Sequence, residues 1–192
     1  MTPQSAIIVA WAAWIATWLA AAFWSTRAAA RPPLGREVVY RAFNFAGAFM
    51  LFGVRAPQEW FGQSYWEVGN SLGWSLVALA IAGFAFTWWA RIHLGLLWSA
   101  NVTRKAGHHV VDTGPYALVR HPIYTGIILA TIATVAMRAT LIAAAGGCIM
   151  SIGWYIKAKL EEHFLRDELG ATQYDSYAAR VPMLVPFTRW AR

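Results

Sequence analysis

The stretch "RHPIYTGIILATIATVAMRATLIAAAGGCIMSIGWYIKAKLEE" (Arg120 to Glu162) decides the fold. It holds two apolar runs, Pro122 to Met137 and Ala139 to Ile156, which meet at Arg138 with almost no loop. The second is long enough for a helix that crosses a bilayer. The first is short, which a membrane tolerates if flanking groups snorkel or if the helix start lines a cavity. The pattern predicts a tight antiparallel helical hairpin. Polar residues bracket it: Arg120, His121 and Tyr124 at its start, Lys157, Lys159, Glu161 and Glu162 past its end.

Three more apolar runs precede it. Ala6 to Trp24 carries no charge, and its front lacks basic residues, so it reads as an anchor rather than a cleaved signal peptide. Val38 to Val54 is interrupted by Arg41, and Val68 to Ala90 is uninterrupted. Composition agrees with a membrane protein: 58% of the 192 residues are hydrophobic, 13% are charged, and mean hydropathy is +0.42. Several of the twelve tryptophans lie near run ends, where aromatic belts form. The expected fold is all-α and integral to the membrane, with about five transmembrane helices.

Charge sets the orientation. Arg27, Arg31 and Arg36 follow the first run, Arg91, Arg104, Lys105 and Arg120 follow the third, and Lys157 to Arg192 follow the fifth. The other side holds Arg55 and Arg138. Positive charge gathers on the cytoplasmic side, so the N-terminus is expected outside and the C-terminus inside. The same bias explains the net charge of +7 and a pI near 10 without nucleic acid. "RAAARPPLGR" (Arg27 to Arg36) reads as a rigid connector. One cysteine, Cys148, excludes an intrachain disulfide. His93, His108, His109, His121 and His163 have neither HExxH spacing nor cysteine partners, so no metal is expected. Walker and GxGxxG loops are absent.

Two segments hold the groups capable of chemistry, Arg91 to Tyr124 and Lys157 to Phe187. Gly114-Pro115 predicts a turn, and His121-Pro122 a helix start with proline at the first helical position. A helix start offers unpaired N–H groups and partial positive charge to an anion. Plainer readings stand beside these. Arg120 and His121 also suit a membrane boundary, Glu161 and Glu162 a solvated helix face, and Arg91 a snorkelling anchor.

Taken together, "HHVVDTGPY" (His108 to Tyr116), "RHPIYTG" (Arg120 to Gly126), an apolar hairpin, "EEHFL" (Glu161 to Leu165) and "YDSYAARVP" (Tyr174 to Pro182) resemble the isoprenylcysteine carboxyl methyltransferase family and its phospholipid methyltransferase relatives. "LGLLWSANV" (Leu94 to Val102) looks like the bacterial branch. The resemblance spans about Arg91 to Phe187 and leaves the first two runs without a motif. Departures are Val110 in place of leucine, and, in place of arginines, Lys157 and Lys159, whose ammonium groups lack the bidentate fork.

The resemblance implies methyl transfer from S-adenosyl-L-methionine, in a C-terminal cytosolic pocket formed by the last helical hairpin and the tail. It implies cofactor contacts at His108, Val110, Val111, Tyr116, His121, Pro122, Ile123, Tyr124 and Glu162, with Arg91 as the cation that holds an acceptor carboxylate. It divides the chain into membrane helices (1–90) and a methyltransferase core (91–192). The acceptor is expected to be lipidic or prenylated, and the location the cytoplasmic membrane. Alternatives are a phospholipid, thiol or amine acceptor, an NADPH-dependent sterol-reductase-like enzyme, and a non-catalytic scaffold that binds anionic lipid.

Overall fold

The computed structural model describes residues 1–21, 34–53, 63–95 and 110–188. The described residues are helical, without strands. Helix α1 is Pro3–Ala20, α2 is Leu34–Ala48, continued by a π-helical turn at Phe49–Gly53, and α3 is Asn70–Leu94. A single turn, α4 (Pro115–Leu118), precedes α5 (Pro122–Arg138), α6 (Leu141–Leu169) and α7 (Ala171–Arg180). Much of the connector at Arg27 to Arg36 lies outside the described residues.

Each expected apolar run is a helix, with shifted ends. Helix α1 begins early because Thr2 and Ser5 form a reciprocal capping box ahead of Pro3. Helix α6 does not stop at Ile156 but runs on to Leu169, ending where Gly170 takes φ +86°. Its extension is rich in helix formers and carries i,i+4 and i,i+3 pairs, Lys157–Glu161 at 4.0 Å and Lys159–Glu162 at 3.7 Å. Three helices among the described residues, α1, α3 and α6 over Leu141–Asp167, are long and apolar enough to cross a membrane, and α5 is a shorter apolar helix. Helix α2 is not among the three: at 15 residues it is short, and it carries Glu37 and Arg41.

The packing is that of a membrane bundle, with small residues inside and large apolar ones outside. At the α3–α5 crossing, a Cβ added to Gly83 would lie 2.5 Å from the Gly126 carbonyl oxygen. At the α2–α6 crossing, a Cβ on Gly47 would lie 2.6 Å from the Gly146 carbonyl oxygen. Without a hydrophobic force between helices in lipid, such backbone approach is what gains contact. Ala80, Ala130, Ala133 and Ala143 are fully buried, while Ile81, Ile132, Leu19 and Phe45 are exposed. Two indoles of α1 donate across the bundle, Trp11 Nε1 to Thr134 Oγ1 at 2.9 Å and Trp14 Nε1 to Thr87 Oγ1 at 2.8 Å.

The hairpin turn is as short as the sequence predicts. Ala139 ends α5 at φ +53°, and the Thr140 hydroxyl caps α6 by accepting from Ala143 N at 3.3 Å. From that turn, Arg120 lies about 28 Å back along α5 and Glu162 about 32 Å forward along α6. An antiparallel hairpin therefore sets the two charged ends side by side.

The Gly83 crossing gives a direct test. Gly83→Ala drives a methyl group into backbone that cannot yield, so it should lower stability in detergent by about 1–3 kcal/mol. Gly35→Ala, in the first turn of α2 where nothing lies within 4 Å of the added Cβ, is the control and should not lower the melting temperature.

Candidate functional site

The site is assembled by a clasp between the start of α5 and the chain after α7. Gly114, at φ +57°, makes the turn that opens α4, and its Cα is so close to the His93 ring that a Cβ would lie 2.7 Å from it. His93 Nε2 is 2.9 Å from Thr113 Oγ1, so the last turn of α3 holds this turn in place. After α4 the chain is extended at Val119. Arg120 N donates to Pro182 O at 2.9 Å and His121 N to Met183 O at 3.1 Å. Thr125 Oγ1 donates to Leu184 O at 2.7 Å. Tyr177 OH donates to Tyr116 O at 2.8 Å, and Val110 packs on the buried Tyr174, Tyr177 and Val181.

Charged groups fill the space between clasp and hairpin. The Arg120 guanidinium reaches Glu162 Oε1 through Nε at 2.7 Å and Nη2 at 2.6 Å. Its Nη1 donates to the carbonyls of Ala178 at 3.0 Å and Val181 at 2.5 Å. His121 lies between both carboxylates, with Nδ1 3.6 Å from Glu161 and Nε2 3.4 Å from Glu162. The Tyr124 hydroxyl donates to Glu161. The ring of Tyr124 stacks between His121 at 5.5 Å and Trp154 at 5.0 Å. Lys157 is buried one turn deeper, over the faces of Tyr40, Tyr124 and Trp154.

Burial would push the His121 imidazole down, but the carboxylates of Glu161 and Glu162, one beside each ring nitrogen, outweigh it and raise the pKa above its ordinary 6.5. Burial also pushes the phenols of Tyr116, Tyr174 and Tyr177 up, so they stay protonated at physiological pH.

The expected site residues fall into four groups. His121, Tyr124 and Glu162 meet in the cluster, with Pro122 and Ile123 forming the helix start beside them. Tyr116, Val110 and Val111 line the clasp side, Tyr116 buried and the two valines half-buried. Arg91 is buried in the last turn of α3, where its guanidinium donates to the Ala21 carbonyl and lies 5.0 Å over the Trp18 ring, so its described contacts are with the end of α1. His108 lies outside the described residues. Sequence reasoning did not place Arg120, Lys157, Trp154, Glu37 or Tyr40 in the site. For Arg120 and Lys157 the available signal was their place bracketing the apolar hairpin, since charge at a membrane boundary marks function by default; Trp154, Glu37 and Tyr40 carried no local signal. A cavity of about 680 Å³ lies elsewhere, at the far end of the bundle, lined by Ile7, Phe52, Trp66, Val68 and Met137.

Because the folded pKa of His121 is raised, its stabilisation is complete below about pH 6.5, the unfolded value, and is lost as pH rises through the folded one. The clasp should therefore loosen on that alkaline side. Thermal unfolding across pH 6 to 9 checks this: the parent should lose stability with rising pH, and His121→Asn should flatten the slope.

The model of the "Isoprenylcysteine carboxyl methyltransferase (ICMT) family" matches residues 76–167. These residues run from α3 through the hairpin to just past Glu162. Protein-S-isoprenylcysteine O-methyltransferase B of Arabidopsis thaliana is 32% identical over 143 residues, covering 73% of this chain and 67% of that protein. Methanethiol S-methyltransferase of Pseudomonas sp. (strain GM41(2012)) is 34% identical over 154 residues, covering 72% of this chain and 54% of that protein. The family model spans the hairpin and both charged ends that it brings together, and with the Arabidopsis relative, 32% identical and covered to 67%, it shows that the chain belongs to the isoprenylcysteine carboxyl methyltransferase family.

Proposed function

We propose that this integral membrane protein transfers a methyl group from S-adenosylmethionine to a lipidic acceptor, with an isoprenylcysteine-like carboxylate as the acceptor. The observation that carries the reading is the meeting of Arg120, His121 and Tyr124 with Glu161 and Glu162 at one end of the hairpin. Such a paired, buried cluster at a membrane boundary is expensive and is kept for function.

The donor set fits the cofactor. Its carboxylate wants donors, which His121, the Tyr124 hydroxyl and the first-turn N–H groups of Ile123 and Tyr124 can offer. Its ammonium and hydroxyls want acceptors. Glu162 engages Arg120 and His121 through Oε1, and its Oε2 faces the exposed Lys159 at 3.7 Å. That second oxygen is the one suited to a ligand. Val110, Val111 and Tyr116 suit the adenine face, and His108 completes the set in this reading. When bound, S-adenosylmethionine supplies an activated methyl for in-line displacement, so the chain's work is positioning and exclusion of water.

A carboxylate acceptor needs no base, only a cation to hold it, the role proposed for Arg91. In this reading residues 91–192 form the core, and residues 1–90 the helices that bracket it. About five spans put the C-terminal pocket in the cytosol, at the cytoplasmic membrane. The second relative's name favours one other reading, methylation of a small thiol without a lipid tail.

Titration of the purified protein with S-adenosylhomocysteine should show saturable binding, and with NADPH none. Glu162→Ala should weaken that binding by tenfold or more, and Glu161→Ala by less. Binding of NADPH alone would overturn the reading. Acceptor chemistry separates in a surface-dilution assay. For a lipidic acceptor the rate should fall as inert detergent dilutes a prenylated substrate at fixed bulk amount. A flat rate, or preference for a tailless thiol, selects the thiol reading.

A further inference from the structure

Helix α2 lies outside the segment matched by the family model, yet it closes one side of the site. Tyr40 of α2, Tyr124 of α5 and Trp154 of α6 turn their rings toward one point. The Lys157 ammonium occupies it, 5.5, 5.3 and 5.6 Å from the three ring centroids. Tyr40 and Tyr124 are buried, and Trp154 is half-buried. Glu161 Oε1 lies 4.0 Å from the ammonium. Glu37, one turn before Tyr40 on the same face of α2, is buried at 4% exposure. Its Oε2 pairs with Arg41, whereas its Oε1 is buried with no hydrogen-bond partner.

Ring faces attract cations through their quadrupole, most strongly where water is excluded, and aromatic boxes of this kind recognise methylated onium groups. A buried carboxylate oxygen without a donor adds acceptor capacity beside them. An anion would meet three negative ring faces and two carboxylates, so the chemistry selects a positive charge. Lysine is a flexible occupant, a point charge on a four-carbon stem that can reach outward along α6.

We propose that the Tyr40–Tyr124–Trp154 box, edged by Glu37 and Glu161, is a subsite for an organic onium group, and that Lys157 shares it and yields when a ligand's cation enters. The proposal rests on the function proposed above, and it adds α2 to the selectivity of that site. One onium chemistry has two possible sources: the sulfonium of the methyl donor, or a methylated ammonium headgroup.

The test compares S-adenosylmethionine with S-adenosylhomocysteine, which differ by the methyl group and positive charge on sulfur, by calorimetry on the full chain in detergent. Tyr40→Leu should reduce the preference for the sulfonium about tenfold, while Tyr40→Phe, which keeps the ring, should preserve it. Lys157→Met, which removes the competing charge and keeps the bulk, should raise that preference several-fold. This arm does not depend on whether Tyr40→Leu folds. If the headgroup is the source, tetramethylammonium should bind the parent in competition with Lys157, more tightly in Lys157→Met and more weakly in Tyr40→Leu, with donor preference unchanged. Equal effects of all variants on the charged and neutral ligands, with no tetramethylammonium binding, would overturn the subsite and leave the proposed function standing. Failure of the parent to bind either adenosyl ligand would overturn the function and the proposal with it.

Discussion

The Arg120–Glu162 ion pair is the interaction on which the rest of the site depends. It joins the chain two residues before α5 to α6, and its remaining nitrogen holds the Ala178 and Val181 carbonyls of the clasp. Both side chains are largely withdrawn from water, at 11% and 13% exposure. Breaking a buried pair from one side leaves an uncompensated charge and costs about 3–5 kcal/mol. Desolvation makes such a pair a poor general stabiliser. Its use here is geometric: it fixes three separate segments, the α5 start, α6 and the chain beyond α7, around His121.

The bundle makes that arrangement possible by being tight and self-satisfied. Backbone meets backbone at Gly83–Gly126 and Gly47–Gly146, which leaves little freedom for the hairpin to slide. Indole-to-threonine hydrogen bonds tie α1 to α3 and α5, where lipid offers no alternative partner. The charged ends are then level because the hairpin turn is only Ala139 and Thr140 long. A register shift of one residue along α6 would rotate Glu161 and Glu162 by about 100° away from His121.

Hydropathy made the helices legible, because a bilayer demands long apolar runs and the chain supplies them. It did not reveal where α6 ends: Lys157 to Leu169 looked like a separate polar segment, yet good helix formers and i,i+4 pairs carry the helix through it. The cluster of His121, Tyr124 and Glu162 was legible through the family pattern. Tyr40 and Glu37 were not, because nothing local marks them; only the packing of α2 on α6 brings the Tyr40 ring to Lys157. Arg91 shows the opposite case. Its position at the end of α3 was read correctly, but its described contacts face the end of α1, a partner that no local pattern names.

In the function proposed above, the clasped charge cluster holds a methyl donor for transfer to a membrane acceptor. The most direct measurement is transfer of isotopically labelled methyl from S-adenosylmethionine to a prenylated cysteine by the purified protein in lipid nanodiscs. The parent should yield a base-labile methyl ester, and Arg120→Met should lose nearly all label. No label from a folded parent, or label undiminished in Arg120→Met, would contradict that function.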